Sequence, residues 1–179
     1  MPTAVDPVSG LVRDIPDFPV PGVTFRDITP LLAHADAFGQ VVEQMAGPWV
    51  GAGVTTVVGI EARGFIVAAP LAVRLGAGFV PVRKPGKLPW QVANEAYDLE
   101  YGTDALEVHL DAVGPADRVL VVDDVLATGG TAAAAGRLVL EAGAVLVGFS
   151  VLLELAALGG RDVLTQAHPT TPLSTLLTY

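Results

Sequence analysis

The sequence contains no cysteine, so disulfide bonds, thiolate metal ligands and a cysteine nucleophile are all excluded. Lysine is nearly as scarce, since Lys84 and Lys87 are the only two in 179 residues. The three histidines, His34, His109 and His168, stand far apart rather than at the spacing of metal ligands. We therefore expect each histidine to be structural, and no dedicated protein site for a metal ion.

Long hydrophobic runs are also missing, although 51% of the residues are hydrophobic. No apolar run reaches the roughly 18 residues that a membrane helix needs, and the longest, 144–153, predicts a core strand. The chain begins Met-Pro-Thr-Ala-Val-Asp, which lacks the basic and apolar regions of a secretory signal. We therefore expect a cytoplasmic protein with no membrane partner.

Positive charge is scarce overall but concentrated in one part of the chain. The formal net charge of −9 argues against binding to nucleic acid or to anionic membranes. Yet five of the ten basic residues lie between Arg63 and Lys87, and Arg83, Lys84 and Lys87 follow directly on an apolar strand pattern. This cluster predicts a local site for an anion.

Predicted strands and helices alternate along the chain. The strands are predicted at 54–60, 78–82, 118–122 and 145–155, and the helices at 36–46, 65–75 and 131–142. Asp36 is the expected N-cap of the first helix, and Gly143 is expected to close the third. Residues 88–104 carry few core signals and predict a mobile excursion, as a hairpin or a lid. The alternation predicts one α/β domain with a parallel sheet between two helical layers.

The most informative motif is 119–131, which joins a buried strand, two carboxylates at its carboxyl end, a Gly/Thr loop and a helix start. Backbone N–H groups and the helix dipole at such a loop favour an anion. The loop has no lysine, so it is not a nucleoside-triphosphate loop. Asp123 and Asp124 would repel a bare phosphate, but they would accept hydrogen bonds from the hydroxyls of a sugar phosphate. The motif predicts a ribose 5-phosphate site; the alternative is an aspartate pair that only caps the next helix.

Two further motifs fall at the ends of predicted parallel strands, as the aspartate pair does. They are Glu61-Ala62-Arg63 and Arg83-Lys84. Ligands of open α/β sheets bind at the carboxyl ends of the strands. We therefore expect the three motifs to face one site.

Residues 119–131 resemble the signature of the type I phosphoribosyltransferases, which bind 5-phosphoribosyl 1-diphosphate (PRPP). Four other segments resemble the adenine phosphoribosyltransferases within that family, namely 18–30, 59–65, 81–89 and 97–102. The resemblance runs from about residue 11 to the C-terminus. It implies the type I phosphoribosyltransferase fold, a twisted parallel sheet flanked by helices. Within a single domain of 1–179, it implies a small N-terminal hood at about 11–32 and a catalytic loop at about 88–104.

The resemblance also implies an activity, transfer of the 5-phosphoribosyl group of PRPP to N9 of adenine, giving AMP and diphosphate in purine salvage. Mg²⁺ is implied as cofactor, held mainly by PRPP and water, and so is a homodimer in which part of the basic cluster reaches the neighbouring site. The 5-phosphate and ribose are expected to bind Asp123, Asp124, Ala127, Thr128, Gly129, Gly130 and Thr131. The diphosphate is expected to bind Arg63, Arg83, Lys84 and Lys87.

Glu100 and Tyr101 match the catalytic-loop residues of the family. Glu100 is implied to accept a proton from the base or to hydrogen-bond to it, and Tyr101 to help exclude water, with Arg63 as the third catalytic group. The family often has a non-proline cis bond in the turn that carries Arg63.

The base is expected to stack between Phe25 and Leu155, with backbone groups of Thr24 and Arg26 reading its Watson–Crick edge. Many relatives have an apolar residue in place of Thr24, and Phe25 and Leu155 could instead be plain core residues. Enzymes for 6-oxopurines usually present a late lysine, which this chain lacks after Lys87. Adenine is therefore favoured over another base such as xanthine. A non-enzymatic regulator that senses PRPP is the alternative from another class, and a dinucleotide-binding dehydrogenase fits less well because no Gly-x-Gly-x-x-Gly follows a strand.

Overall fold

The computed structural model describes residues 8–99 and 102–179. The chain divides into two compact units, Met1–Gln44 and Met45–Tyr179. The organisation as one catalytic domain stays a prediction. None of the helices in the described part of the chain is both long and apolar enough to cross a membrane.

The first unit holds a short hairpin followed by helices. Strand β1 pairs antiparallel with β2, with Ile15 opposite Phe25. The elements are β1 Arg13–Ile15, β2 Phe25–Asp27, α1 Thr29–Ala33 and α2 Ala35–Ala46, the last two residues of which belong to the second unit.

The prediction that Asp36 caps α2 is wrong. The helix begins at Ala35, and the backbone N–H of Ala37 donates to Nδ1 of His34 at 3.3 Å, so His34 is the capping residue. Asp36 lies inside the first turn, where its negative charge interacts favourably with the helix dipole. Sequence preference alone favours aspartate over histidine as a cap, so the shift of the cap by two positions, from Asp36 to His34, was not predictable from it.

The second unit is built on a sheet of five parallel strands in the order β4-β3-β7-β8-β9. A separate antiparallel hairpin, β5–β6, follows β4 in the chain. The strands are β3 Thr56–Ile60, β4 Gly78–Val82, β5 Val92–Leu99, β6 Gly102–His109, β7 Arg118–Leu126, β8 Val145–Glu154 and β9 Leu173–Thr178. The helices are α3 Gly64–Leu75, α4 Gly130–Glu141 and α5 Gly160–Ala167.

Helices cover both faces of this sheet, as predicted. Val58 and Val121 face the alanine-rich side of α4 in one core cluster. Gly59 points the other way, where a Cβ would lie 2.8 Å from that of Ala68 in α3. The absence of a side chain at Gly59 therefore lets α3 pack closely on β3. This is the α/β architecture expected from the alternating pattern.

The end of α4 confirms the expected role of Gly143. Its φ is +80°, its N–H donates to the carbonyl of Leu140, and the N–H of Ala144 donates to that of Val139. These two bonds form a Schellman motif that satisfies the last carbonyls of the helix.

Three parts of the second unit differ from the sequence prediction. Strand β7 continues to Leu126, so Asp123 and Asp124 lie within the strand rather than after it. The predicted excursion is a hairpin, as one of the two alternatives proposed, and its second strand continues to His109. Helix α5 and strand β9 were not predicted, because the half-buried strand 173–178 and the short helix before it lack a strong apolar pattern.

Candidate active site

A cavity of about 380 Å³ opens at the carboxyl ends of β3, β4 and β7. Residues from all three motifs that were expected to face one site, 61–63, 83–84 and 123–124, line this cavity. The lining residues are Glu61, Ala62, Arg63, Lys84, Asp123, Asp124, Val125, Leu126, Ala127, Thr128, Gly129, Thr131 and Ala132. The parallel register explains the convergence, since Gly59 of β3 lies between Pro81 of β4 and Val122 of β7.

The centre of the cavity is an ion pair between two motifs. Nε of Arg63 donates to Oδ2 of Asp124 at 2.6 Å. The side chain of Asp124 is nearly buried, at 8% exposure, whereas that of Arg63 is 43% exposed. Arg63 follows a cis peptide bond between Glu61 and Ala62, as the resemblance implied. The pair fixes the guanidinium at the cavity wall, with part of its surface open to a ligand.

Asp123 is the electrostatically unusual residue of the cavity. Desolvation raises the pKa of its carboxyl well above the ordinary 3.8, and the adjacent charge of Asp124 raises it further. Its Oδ1 accepts the backbone N–H of Asp124 at 2.9 Å and lies 2.6 Å from the place a Cβ of Gly64 would take. Ionisation of Asp123 therefore costs folding stability.

Replacing Asp123 by asparagine is expected to stabilise the fold at neutral pH. A carboxyl whose native pKa is raised binds its proton more tightly when folded, so stability falls as the pH rises from about 3.8 through the native value. Asparagine keeps an oxygen for the N–H of Asp124 and has no proton to lose. The unfolding midpoint of Asp123→Asn should therefore exceed that of the wild type by a margin that widens as the pH rises through this window.

Asp117 supplies a control of opposite sign. Its pKa is lowered, mainly by the backbone N–H of Gly114 at 2.9 Å and then by Thr56. Asp117→Asn should therefore lower the unfolding midpoint above pH 3.8. A pH-independent difference for Asp123→Asn, or a lower midpoint throughout, would contradict the assignment.

The loop after β7 packs directly against the start of α5. Gly129 has a φ of +86°, and a Cβ on it would lie 2.5 Å from the carbonyl oxygen of Gly160. A Cβ on Gly160 would in turn lie 2.2 Å from the carbonyl oxygen of Ala127. Only glycine fits either position, so the two backbones are in direct contact. The loop thus lines the cavity beside the N-terminus of α4, where the helix dipole favours an anion.

An ion pair between the exposed Arg161 and the buried Glu154 keeps α5 in this place. Arg161 donates through Nε to Oε1 of Glu154 at 2.8 Å, and its Nη2 donates to Oε2 of the same carboxylate. Thr175 of β9 also donates to Oε2, at 3.0 Å. The hydrogen bond from Arg161 lowers the pKa of Glu154 despite its burial. Because Glu154 ends β8, this network ties the first turn of α5 to the sheet.

The basic cluster is partly neutralised within the protein. Glu61 accepts hydrogen bonds from Arg83 at 3.0 Å, from Lys87 at 2.9 Å and from the backbone N–H of Lys84 at 3.0 Å. The bond from Arg83 is the largest influence, and these partners together lower the pKa of Glu61 to about 2 despite its burial. Arg83 and Lys87 were predicted to bind diphosphate, but here they pair with Glu61, and of the three cations only Lys84 lines the cavity.

Lys84 has its own partners on the hairpin. Its Nζ donates to the hydroxyl of Tyr97 at 2.6 Å and also to Asp104. The Tyr97 hydroxyl accepts a further hydrogen bond from Oγ1 of Thr131 at 3.3 Å.

The residues predicted to bind the base lie in different parts of the chain. Phe25 lies in β2 and packs edge-to-face on Phe18 at 5.3 Å, and Arg26 pairs with Asp14. Thr24 is exposed just before β2. Leu155 follows β8, and its N–H donates to the carbonyl of Leu126 at 2.9 Å. Glu100 and Tyr101 lie outside the described residues.

Sequence reasoning missed four residues that shape the cavity: Glu61 as a partner of the cations, Tyr97, Asp104 and Gly160. A signal for Glu61 was present, because predicted strands 54–60 and 78–82 would place its carboxylate beside Arg83 if they were neighbours. Tyr97 and Asp104 carried no such signal, because their partners depend on how the hairpin folds back on β4 and α4.

The donor set suits a magnesium–diphosphate complex rather than a bare metal ion. Asp123 and Asp124 offer carboxylate oxygens, but the described residues contain no group of three or more Asp, Glu, His or Cys side chains able to hold an ion. Mg²⁺ commonly binds one or two carboxylates together with substrate phosphates and water. The residues present therefore fit Mg²⁺ that arrives with a phosphorylated ligand.

Comparisons with known proteins agree with the geometry. The family model described as phosphoribosyl transferase domain matches residues 30–165. The adenine phosphoribosyltransferase of Anaeromyxobacter dehalogenans strain 2CP-C is 56% identical over 175 residues, 98% of this chain and 99% of that one. The crystal structure of the Rhodothermus marinus enzyme of the same name has a TM-score of 0.90 at 50% identity, with 96% of each chain covered. The Giardia lamblia enzyme, solved in complex with 9-deazaadenine, has a TM-score of 0.89 at 40% identity, again with 96% of each chain covered.

Similarity at this identity and coverage is evidence that this chain and these enzymes share a common ancestor. The shared fold is the one expected from the motifs. The cavity at the carboxyl ends of β3, β4 and β7 brings together residues of three of the segments on which the resemblance rested, 59–65, 81–89 and 119–131. The chain belongs to the adenine phosphoribosyltransferase family.

Proposed function

We propose that this chain transfers the 5-phosphoribosyl group of PRPP to N9 of adenine and releases diphosphate, using the cavity at the carboxyl ends of β3, β4 and β7. The observation that carries the proposal is the combination, in one cavity, of an aspartate pair, a glycine-rich loop at a helix N-terminus, and two cations. A phosphate alone would not need the carboxylates, and a sugar alone would not need the cations. A phosphorylated sugar with a second anionic group uses all three.

In this proposal the loop from Ala127 to Thr131, including Thr128, Gly129 and Gly130, holds the 5-phosphate. Asp123 and Asp124 accept hydrogen bonds from the ribose 2- and 3-hydroxyls. Arg63 and Lys84 bind the diphosphate, and Arg83 and Lys87 contribute after exchanging Glu61 for substrate oxygens. Mg²⁺ bound with PRPP supplies further neutralisation of the diphosphate charge.

The bond that breaks joins ribose C1 to a diphosphate oxygen, and the bond that forms joins C1 to N9. Positive charge develops on the ribose and negative charge on the departing diphosphate. Arg63, fixed by Asp124, is placed to stabilise that negative charge without reorganising, which is the most effective form of electrostatic catalysis. Holding both reactants in one orientation supplies a further part of the rate.

The proton of adenine N9 must leave as the new bond forms. Glu100 is the proposed acceptor or hydrogen-bond partner, and Tyr101 is proposed to keep water from hydrolysing PRPP. Thr24, Phe25, Arg26 and Leu155 are proposed to contact the base. A homodimer, which rests on the resemblance, and a cytoplasmic location, which rests on the composition, complete the proposal.

The test is diphosphate release from PRPP and Mg²⁺ in the presence of adenine, hypoxanthine, guanine or xanthine. We expect release with adenine alone, and loss of that release when a chelator removes Mg²⁺. Release with a 6-oxopurine instead would overturn the base assignment and keep the PRPP site. Measurable PRPP binding without release with any base would favour the non-enzymatic regulator.

A further inference from the structure

We propose that Tyr97 and Asp104 are positioning residues for PRPP, which hold the ammonium of Lys84 at the cavity wall and link it to the phosphate loop. The inference rests on the proposed function, since it concerns how the same cavity binds the diphosphate of its substrate. Neither residue lines the cavity. Both would act through Lys84.

The hydroxyl of Tyr97 makes all three hydrogen bonds of which it is capable. It accepts hydrogen bonds from Nζ of Lys84 at 2.6 Å and from Oγ1 of Thr131 at 3.3 Å, and it donates to Oδ2 of Asp104 at 3.2 Å. A phenol has one donor and two acceptor positions, so this arrangement fills all three. One oxygen atom therefore connects β4, the start of α4 and the hairpin.

Lys84 is held from two directions. Its Nζ donates to Tyr97 and to Asp104, and it also lies 5.2 Å from the centroid of the Tyr97 ring. Among the described residues these contacts account for two of the three ammonium protons, so one remains for a substrate oxygen. A lysine side chain has four rotatable bonds, and fixing it before the substrate arrives removes most of the entropic cost of ordering it on binding.

The network also joins two parts of the proposed PRPP site. Thr131 belongs to the loop proposed for the 5-phosphate, and Lys84 is proposed for the diphosphate. Tyr97 is buried, at 6% exposure, so its hydroxyl cannot leave the network easily. The distance between the two phosphate-binding groups is thus set by the protein before PRPP binds.

The experiment measures KM for PRPP and for adenine in Tyr97→Phe and Asp104→Asn. Phenylalanine keeps the buried ring and removes only the hydroxyl. We expect the KM for PRPP to rise about tenfold in Tyr97→Phe, the effect of losing one hydrogen bond to a charged group, with the KM for adenine unchanged. Asp104→Asn should shift the KM for PRPP in the same direction.

Glu95→Gln is the matched control. Glu95 lies on β5 of the same hairpin and pairs with Arg137 of α4 rather than with Lys84. It undergoes the same change from carboxylate to amide as Asp104→Asn does. We expect its KM for PRPP to equal that of the wild type, so a rise there would point to a general loosening of the hairpin.

The discriminating readout is a double-mutant cycle with Lys84→Met. If Tyr97 acts through Lys84, then Tyr97→Phe should raise the KM for PRPP much less in the Lys84→Met background than in the wild type. Equal effects in both backgrounds would show a purely structural role and overturn the inference. A lower KM for PRPP in Asp104→Asn would also overturn it, since Asp104 would then compete with the diphosphate for Lys84.

The wild type in the same series separates this inference from the proposed function. Turnover of the wild type with an unaltered KM in Tyr97→Phe would remove the positioning role alone. No turnover in the wild type would contradict the proposed function itself.

Discussion

Asp124→Asn is expected to lower turnover of PRPP and adenine at least about 100-fold while the unfolding midpoint changes little, because it removes the charge that orients Arg63, the proposed stabiliser of the transition state. In the wild type, Oδ2 of Asp124 accepts a hydrogen bond from Nε of Arg63 at 2.6 Å, and the carboxylate is nearly buried. Asparagine fills the same volume but removes the negative charge that this carboxylate places beside the guanidinium. Arg63 would then lose the orientation in which it is proposed to bind the diphosphate.

Arg63→Ala should show a loss of similar size, since it removes the cation and leaves the buried carboxylate of Asp124 without this partner. Asp111→Asn is the matched control, because Asp111 is exposed in the turn after β6. Turnover of Asp111→Asn should equal that of the wild type. Full activity of either Asp124→Asn or Arg63→Ala would remove the proposed site, whatever the fold.

The second large effect is expected for Gly160→Ala, which adds a single methyl group outside the cavity. That Cβ would lie 2.2 Å from the carbonyl oxygen of Ala127, a distance that real contacts do not allow. The loop or the first turn of α5 must then move. Strain of this kind costs about 1–3 kcal/mol, so we expect the KM for PRPP to rise by a factor of about 10 to 100.

Gly114→Ala is the control for this change, because a Cβ on Gly114 meets nothing within 4 Å. The measurement is steady-state kinetics with either substrate varied, alongside thermal unfolding. A KM for PRPP within twofold of the wild type in a folded Gly160→Ala would mean that the loop can shift without losing the 5-phosphate.

The part of the site carried by contiguous sequence was predictable. Strand β7, the loop after it and α4 form one run in which apolar burial, turn chemistry and helix start follow one another, so each supports the assignment of the next. The carboxyl-end position of Arg63 and Lys84 followed from the parallel sheet alone. The end of β7 at Leu126 was not predictable, because the sequence pattern of Val125 and Leu126 is equally compatible with the start of a loop.

The rest depended on pairing between distant segments. Glu61 pairs with Arg83 because Ile60 of β3 lies beside Val82 of β4, a register that no local pattern specifies. Tyr97 hydrogen-bonds to Thr131 only because the hairpin packs against α4. Gly160 contacts Ala127 only because the start of α5 packs against the loop after β7. Local propensity therefore found the elements, whereas tertiary contacts decided which cations remain at the cavity.

The proposed transfer is tested by the conversion of adenine and PRPP by the purified chain with Mg²⁺, followed by chromatography that separates adenine from AMP. We predict that AMP and diphosphate form in equal amounts and that neither forms when adenine is omitted. Diphosphate without AMP would mean that the cavity admits water rather than the base as acceptor. If a folded chain forms neither product and does not bind PRPP, the cavity is not a PRPP site and the proposed function is wrong.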